Sequence, residues 1–254
     1  MREKLSDLLT RMGRREQKTG DENSKWDTQS ALEPYEAALG HFSSALGVQP
    51  DHEGARQGEL EVRAALEKLH VRLGNTELEE GRDRLARKSP EAAPRLMAAL
   101  DNFEAARGLN PDNPEAGAGA AEARRLLPEA LVLAGQREAA AGERMEEQHA
   151  GDALGHYQEA QTAFDQALDL EPGQGPAREG LQKVEPRIAR LRERVAREAE
   201  QSARQRMRPG EQPSTLEDLL GQASERQHER EGEWDRRRHR ARKETGARSS
   251  GLDW

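Results

Sequence analysis

The sequence predicts an all-α protein made of repeated helical hairpins, and three observations carry that expectation. Ala, Glu, Arg, Leu and Gln dominate the composition, and all of them favour helix. Aromatic residues make up only 3% and β-branched residues are scarce, which argues against a sheet. Similar residues recur at a spacing of 61 positions along most of the chain. Of 254 residues, 33% are hydrophobic and 35% charged. That is too little apolar material for a thick core, but enough for a thin one in which each helix buries a single stripe.

The repeat is clearest in three short segments. Phe42, Phe103 and Phe164 form one column, Ala45, Ala106 and Ala167 a second, and Pro50, Pro111 and Pro172 a third. Ala38, Ala99 and Ala160 precede each Phe by four positions, and Tyr35, Leu96 and Tyr157 align upstream. Every Phe and Tyr of the chain lies on a column, whereas Trp26, Trp234 and Trp254 do not. Gly13, Gly74 and Gly135 align, as do Gly20, Gly81 and Gly142, and Gly58, Gly119 and Gly180. Leu5, Leu66, Leu127 and Ile188 form a four-member column. These aromatics read as packing residues, and the recurrent helical glycines as places where helices cross closely.

The columns set the expected elements in order. Long first helices should span about 53 to 87 and 114 to 147. Shorter second helices should span about 29 to 48, 90 to 109 and 151 to 170, with turns near Asp27, Ser89 and Gly151. Pro50, Pro111 and Pro172 end the second helices, because a residue before proline avoids the α region. Asn113, Pro114 and Glu115 read as N-cap, first helical position and acid of the first turn. The units run about 3 to 50, 53 to 111 and 114 to 172, followed by a closing helix over 174 to 206. Residues 1 to 206 then form one repeat domain, and 207 to 254 a linker, a short helix and a charged, largely disordered tail.

These residues resemble the tetratricopeptide repeat, a helix-turn-helix unit with A-x3-F in its second helix and Pro after it. Ala38-x3-Phe42 with Pro50, Ala99-x3-Phe103 with Pro111 and Ala160-x3-Phe164 with Pro172 carry the likeness. The glycine pairs seven apart, such as Gly13 with Gly20, match the family's first helix. The likeness covers about residues 3 to 200. The period departs from the family's ~34 residues, and Glu16, Glu77 and Glu138 stand where the family has a first-helix aromatic. The resemblance implies an α-solenoid whose first helices line a groove for a protein or peptide partner. Family members that clasp a terminal carboxylate use Lys, Asn and Arg there. The matching positions are Thr10, Arg14, Arg72, Glu129 and Leu133, of which Arg14 and Arg72 keep a suitable type.

After the repeats, Met207 to Ser214 reads as a linker. Ser214 and Glu217 form a capping box opening a short helix to about Arg230, with Leu216, Leu219 and Leu220 as its apolar face and a candidate docking element. Beyond it, Arg236, Arg237, Arg238, Arg240, Arg242, Lys243 and Arg248 face one acid, Glu244. That block reads as a solvated tail, the alternative being contact with nucleic acid or an anionic surface. The acids just upstream offset its field, and no aromatics interleave to stack on bases, so nucleic acid is the lesser reading. The Leu-rich short helix, charged stretch and terminal Asp253-Trp254 resemble the ends of tetratricopeptide proteins from bacterial Bat aerotolerance operons. That likeness implies a scaffold role and makes Trp254 a possible recognition handle.

No P-loop, GxGxxG, GxSxG or HExxH pattern occurs. Cysteine is absent, which excludes thiolate chemistry and Cys-based zinc sites. His149 and His156, seven apart with a turn expected between them, make a poor ligand pair. Neither catalytic residues nor a metal or cofactor is expected. The net charge of -8 and the lack of a long apolar run lead to an expectation of a cytoplasmic protein without a membrane span. The start, with Leu5, Leu8, Leu9 and Met12, reads as an amphipathic helix and not as a signal peptide. The expected function is a non-catalytic protein-interaction scaffold.

Overall fold

The computed structural model describes residues 2–206. Among these, all regular structure is helical, in the order α1 (Arg2–Asn23), α2 (Leu32–Val48), α3 (Glu53–Ala86), α4 (Ala92–Leu109), α5 (Pro114–Met145), α6 (Ala150–Leu170) and α7 (Gly175–Arg206), with a 3-10 turn at Gln29–Ala31 before α2. The chain divides into two units, Met1–Ile188 and Ala189–Trp254, so the division falls within α7. Leu216, Leu219, Leu220, Trp254 and the arginine-rich run lie outside the described residues.

The long and short helices alternate as the columns require. α3 and α5 have 34 and 32 residues, while α2, α4 and α6 have 17, 18 and 21. Each short helix ends in the same way. Gln49, Asn110 and Glu171, each before a column proline, have φ/ψ of -138/95, -142/96 and -136/90. That near-identity is the steric effect of proline on the residue before it. Asn113 caps α5, its Oδ1 accepting from the Ala116 N–H at 2.8 Å, with Pro114 in the first turn. His52 does the same for α3 through Nδ1, at 3.1 Å from the Ala55 nitrogen.

The turns differ from expectation in detail. Asp27 does hold a turn, accepting from the Gln29 and Ser30 N–H groups, but a 3-10 turn follows and the α-helix starts only at Leu32. Near Ser89, the chain reverses through Lys88 at φ 54, with Ser89 N–H donating to the Arg84 carbonyl and Lys88 N–H to that of Leu85. Those two bonds satisfy the last carbonyls of α3. The third turn lies a little before Gly151: it occupies 146–149, and α6 starts at Ala150, whose side chain is buried.

The Met1–Ile188 unit is built by one device used three times. α1 packs on α2, α3 on α4 and α5 on α6, α2 also packs on α3 and α4 on α5, and Phe164 of α6 reaches Gly180 of α7. In every case the column Phe lies between two glycines. A Cβ on Gly13 would sit 2.8 Å from the Phe42 ring, and one on Gly58 closer still. Phe103 is held by Gly74 and Gly119, and Phe164 by Gly135 and Gly180, where a Cβ would meet the rings at 2.8 Å and under for the first pair, and at 2.7 and 2.5 Å for the second. Real side chains do not approach so closely, so glycine is required at all six positions. Gly20 and Gly81 make room in the same way for Tyr35 and Leu96, and Gly142 does so less tightly for Tyr157, at 3.1 Å. The three Phe rings and Ala38, Ala99 and Ala160 are fully buried. Long helices also touch in series, α1 with α3 and α3 with α5.

Candidate functional site

Polar side chains tie the edges where successive long helices meet, and in the first two units one column supplies the acid. Between α1 and α3, the Arg14 guanidinium donates to the Glu61 carboxylate, and Gln17 donates to the same group at 3.0 Å. Gln57 donates to the other Glu61 oxygen at 2.9 Å. Hydrogen bonds from Gln17, Gln57 and Arg14 hold the Glu61 carboxyl down at about 2. Arg14 also lies over the Phe42 ring, 5.5 Å from its centroid. Arg14 is thus engaged within the fold. Arg72 is exposed, and its guanidinium makes no ion pair among the described residues.

Between α3 and α5, Asn75 donates to Glu115 at 2.8 Å, and Arg82 pairs with Glu122. Arg82 is raised above its ordinary value chiefly by its bond to Glu122, and Glu122 is lowered by the same contact. Position 61 of the first unit corresponds to 122 of the second, and position 14 to 75. In both units an acid from the later helix closes the seam.

The third unit departs from this pattern. Its matching residues are Gln136 and Lys183, neither of which makes a side-chain hydrogen bond or an ion pair among the described residues, and Glu143 stands in the column of Arg82. Ala139 and Ala140 stand where the second unit has Leu78 and Glu79. With these side chains shortened and no pair at positions 136 and 183, a cleft of about 210 Å³ lies between α5 and α7, which Arg187 and Glu143 still tie together. Its floor is Phe164 and Tyr157, and its rim includes Gln136 and Lys183. Arg187 of α7 packs over the Tyr157 ring at 5.5 Å from its centroid, and donates to the Tyr157 hydroxyl at 2.5 Å and to Glu143 at 2.8 Å. Tyr157 in turn donates to Glu146 at 2.8 Å. Burial pushes the Tyr157 hydroxyl up, and its bond to Tyr157 raises Arg187 above its ordinary value. The exposed polar groups of the rim are therefore Lys183 and Gln136 together with the acids Glu143 and Glu179, while Arg187 is already paired with Glu143 and the Tyr157 hydroxyl is buried. Of these, Lys183 and Gln136 can meet a carboxylate or carbonyl of a peptide.

The sequence contained the signal for this cleft in its broken columns. Arg187 replaces Leu126 and Ala65, and Lys183 replaces Glu122 and Glu61. A departure from a repeat marks a position released from the common packing.

A second cluster joins α5 to α6. Glu138, His156 and Glu159 bring one ligand atom each within 4.8 Å of one another, with His156 Nδ1 2.7 Å from Glu138. These donors could hold a divalent cation. The second unit uses the same columns for an ion pair, Arg95 to Glu77 at 3.0 Å, so the Glu138–His156 contact is the third unit's version of that hairpin tie. His149 ends the turn as the residue before α6 and His156 lies within that helix, so no turn separates them. Comparison with family models, curated proteins and solved structures returns no match for this chain. No helix of the described residues is long and apolar enough to cross a membrane.

Proposed function

We propose that this protein is a non-catalytic protein-interaction scaffold, a tetratricopeptide-like solenoid whose seam between successive long helices receives a peptide segment of a partner. The cleft between α5 and α7 carries this reading. The first two units pair the acid of this column, as Arg14–Glu61 and Arg82–Glu122, whereas the third has Lys183 there without an ion pair, beside Gln136, and ties α5 to α7 through Arg187–Glu143 instead. The column rule that the glycines impose on the core does not extend to this rim, so the rim is free to vary with the ligand. The tetratricopeptide resemblance supports the same face, because that family lines its groove with first helices. Scaffolding of the kind served by Bat-operon proteins is a role this surface would suit.

The test is affinity capture with the full chain and with Ala139→Leu/Lys183→Glu. The first change restores the side chain found at Leu78, and the second the charge found at Glu122. The expected result is a defined partner bound by the wild type and lost by the variant, at an unchanged melting temperature. Equal recovery by both proteins would remove the cleft from the binding site.

A further inference from the structure

A different surface, at the first helix, has a definite complement. The columns that place Leu66 and Leu69 in α3 place Leu5 and Leu8 in α1. In α3 these side chains are 2% and 6% exposed, buried in a cluster with Tyr35, Ala38, Phe42 and Ala45 of α2. In α1 the same positions are 48% and 53% exposed, and Met12, one turn further, is 42% exposed. Leu5, Leu8 and Met12 lie at helical spacing and form one stripe. The face that on α3 is covered by a short helix is thus open on α1.

Charge selects the occupant. Lys4, Arg11 and Arg15 lie four positions before and three and seven after Leu8, on its flank. All three are exposed, and none makes an ion pair among the described residues. α2, the short helix that covers this face on α3, carries Glu33 and Glu36 and no Lys or Arg; α6 likewise carries acids without Lys or Arg, while α4 combines Arg95 and Arg107 with Asp101 and Glu104. Two copies meeting antiparallel through this stripe would set one basic flank against the other, which opposes self-pairing.

We propose that the Leu5–Leu8–Met12 face of α1 is a docking site for an acidic amphipathic helix of a partner, laid on α1 as α2 is laid on α3. The leucine stripe supplies the apolar contact, and Lys4, Arg11 and Arg15 attract carboxylates along one edge. The site lies on α1 and is independent of what the cleft beside α7 binds.

The probe is a fluorescent amphipathic peptide of about 20 residues, enough for some five turns, built from Leu, Ala and Glu. Its twin replaces each Glu by Lys. Both are titrated against the full-length protein at low salt. The Glu peptide should bind at least about tenfold more tightly than the Lys twin, a difference of ~1.4 kcal/mol. Leu8→Glu should weaken it by a similar factor, as should the triple change Lys4→Glu/Arg11→Glu/Arg15→Glu, and salt should erode it. Because all four side chains are exposed, these variants should melt as the wild type does. Equal binding of the two peptides, or binding indifferent to Leu8→Glu, overturns the proposal. So does a wild-type dimer that Leu8→Glu converts to monomer, because the face would then belong to a second copy.

Discussion

At the scale of single residues, the fold depends on the absence of six methyl groups. Gly58, Gly119 and Gly180 each face the edge of a column Phe at a distance no Cβ tolerates. Ala at any of them must displace a fully buried ring, and overpacking of this kind costs about 1–3 kcal/mol. Gly40 and Gly108 are helical glycines with nothing near an added Cβ. There Ala should stabilise by about 0.5–1 kcal/mol, since it restricts the unfolded chain and favours helix. Urea denaturation of Gly119→Ala against Gly108→Ala should show opposite signs. Phe103→Leu should recover part of the Gly119→Ala loss, because the smaller side chain yields the space; a purely additive double mutant would mean that the ring is not what glycine accommodates. Glu61 gives a second prediction. Its folded value of about 2 lies below its ordinary 4.5, so its contribution is complete above about 4.5 and disappears as pH falls towards 2. The side chain is 38% exposed, so solvent screens the effect and keeps it small. Glu61→Gln should be slightly less stable than wild type at neutral pH, and the two stability curves should converge in acid. Parallel curves would show that the Gln17–Gln57–Arg14 cluster contributes nothing.

At the scale of elements, helix ends are tied across units. Glu67 of α3 accepts from Asn110 at 2.8 Å and Asn113 at 2.5 Å, so the cap of α5 is gripped by the preceding long helix. Asp7 of α1 likewise meets His52, the cap of α3, at 3.0 Å. With His52 Nδ1 accepting from Ala55, the Nε2 proton points at Asp7. Asn113→Ala should therefore cost the usual ~0.5–2 kcal/mol of a lost N-cap and also leave Glu67 without that donor. Asn113→Ser should restore the cap alone. Thermal melts of the two variants should separate these effects, and equal losses would assign everything to Glu67. The cap and the column prolines were legible in the sequence because their causes are local. The Glu67 clasp was not, since Glu67 and Asn113 lie 46 positions apart and nothing local marks them as neighbours. The cleft was half legible. The columns expose Lys183 and Arg187 as departures, but only the packing shows that Ala139 and Ala140 open the wall beside them. Arg14 illustrates the opposite limit, because residue type alone could not reveal that Glu61 already occupies it.

At the scale of the molecule, the period of 61 was legible because every unit solves the same packing problem with the same Phe and glycines. What the period could not disclose is how far each unit depends on its neighbours. In the Met1–Ile188 unit, contacts run between successive helices and between successive long helices. Stability should then be a sum of unit and neighbour terms, with distant lesions nearly independent. Gly58→Ala pries at α1, α2 and α3 through Phe42, and Gly180→Ala at α5, α6 and α7 through Phe164. Native-state amide exchange should read these as separate losses. The first variant should expose amides of α1 to α3 and leave α6 protected, and the second should do the reverse. In the wild type, α3 to α5, flanked on both sides, should exchange most slowly, and the open face of α1 should belong to a faster-exchanging helix. A combined variant should lose the sum of the two, to within about 0.5 kcal/mol. Uniform loss of protection along the chain from either single change would mean that the units fold as one cooperative block, with the glycine clamps strongly coupled instead of merely adjacent.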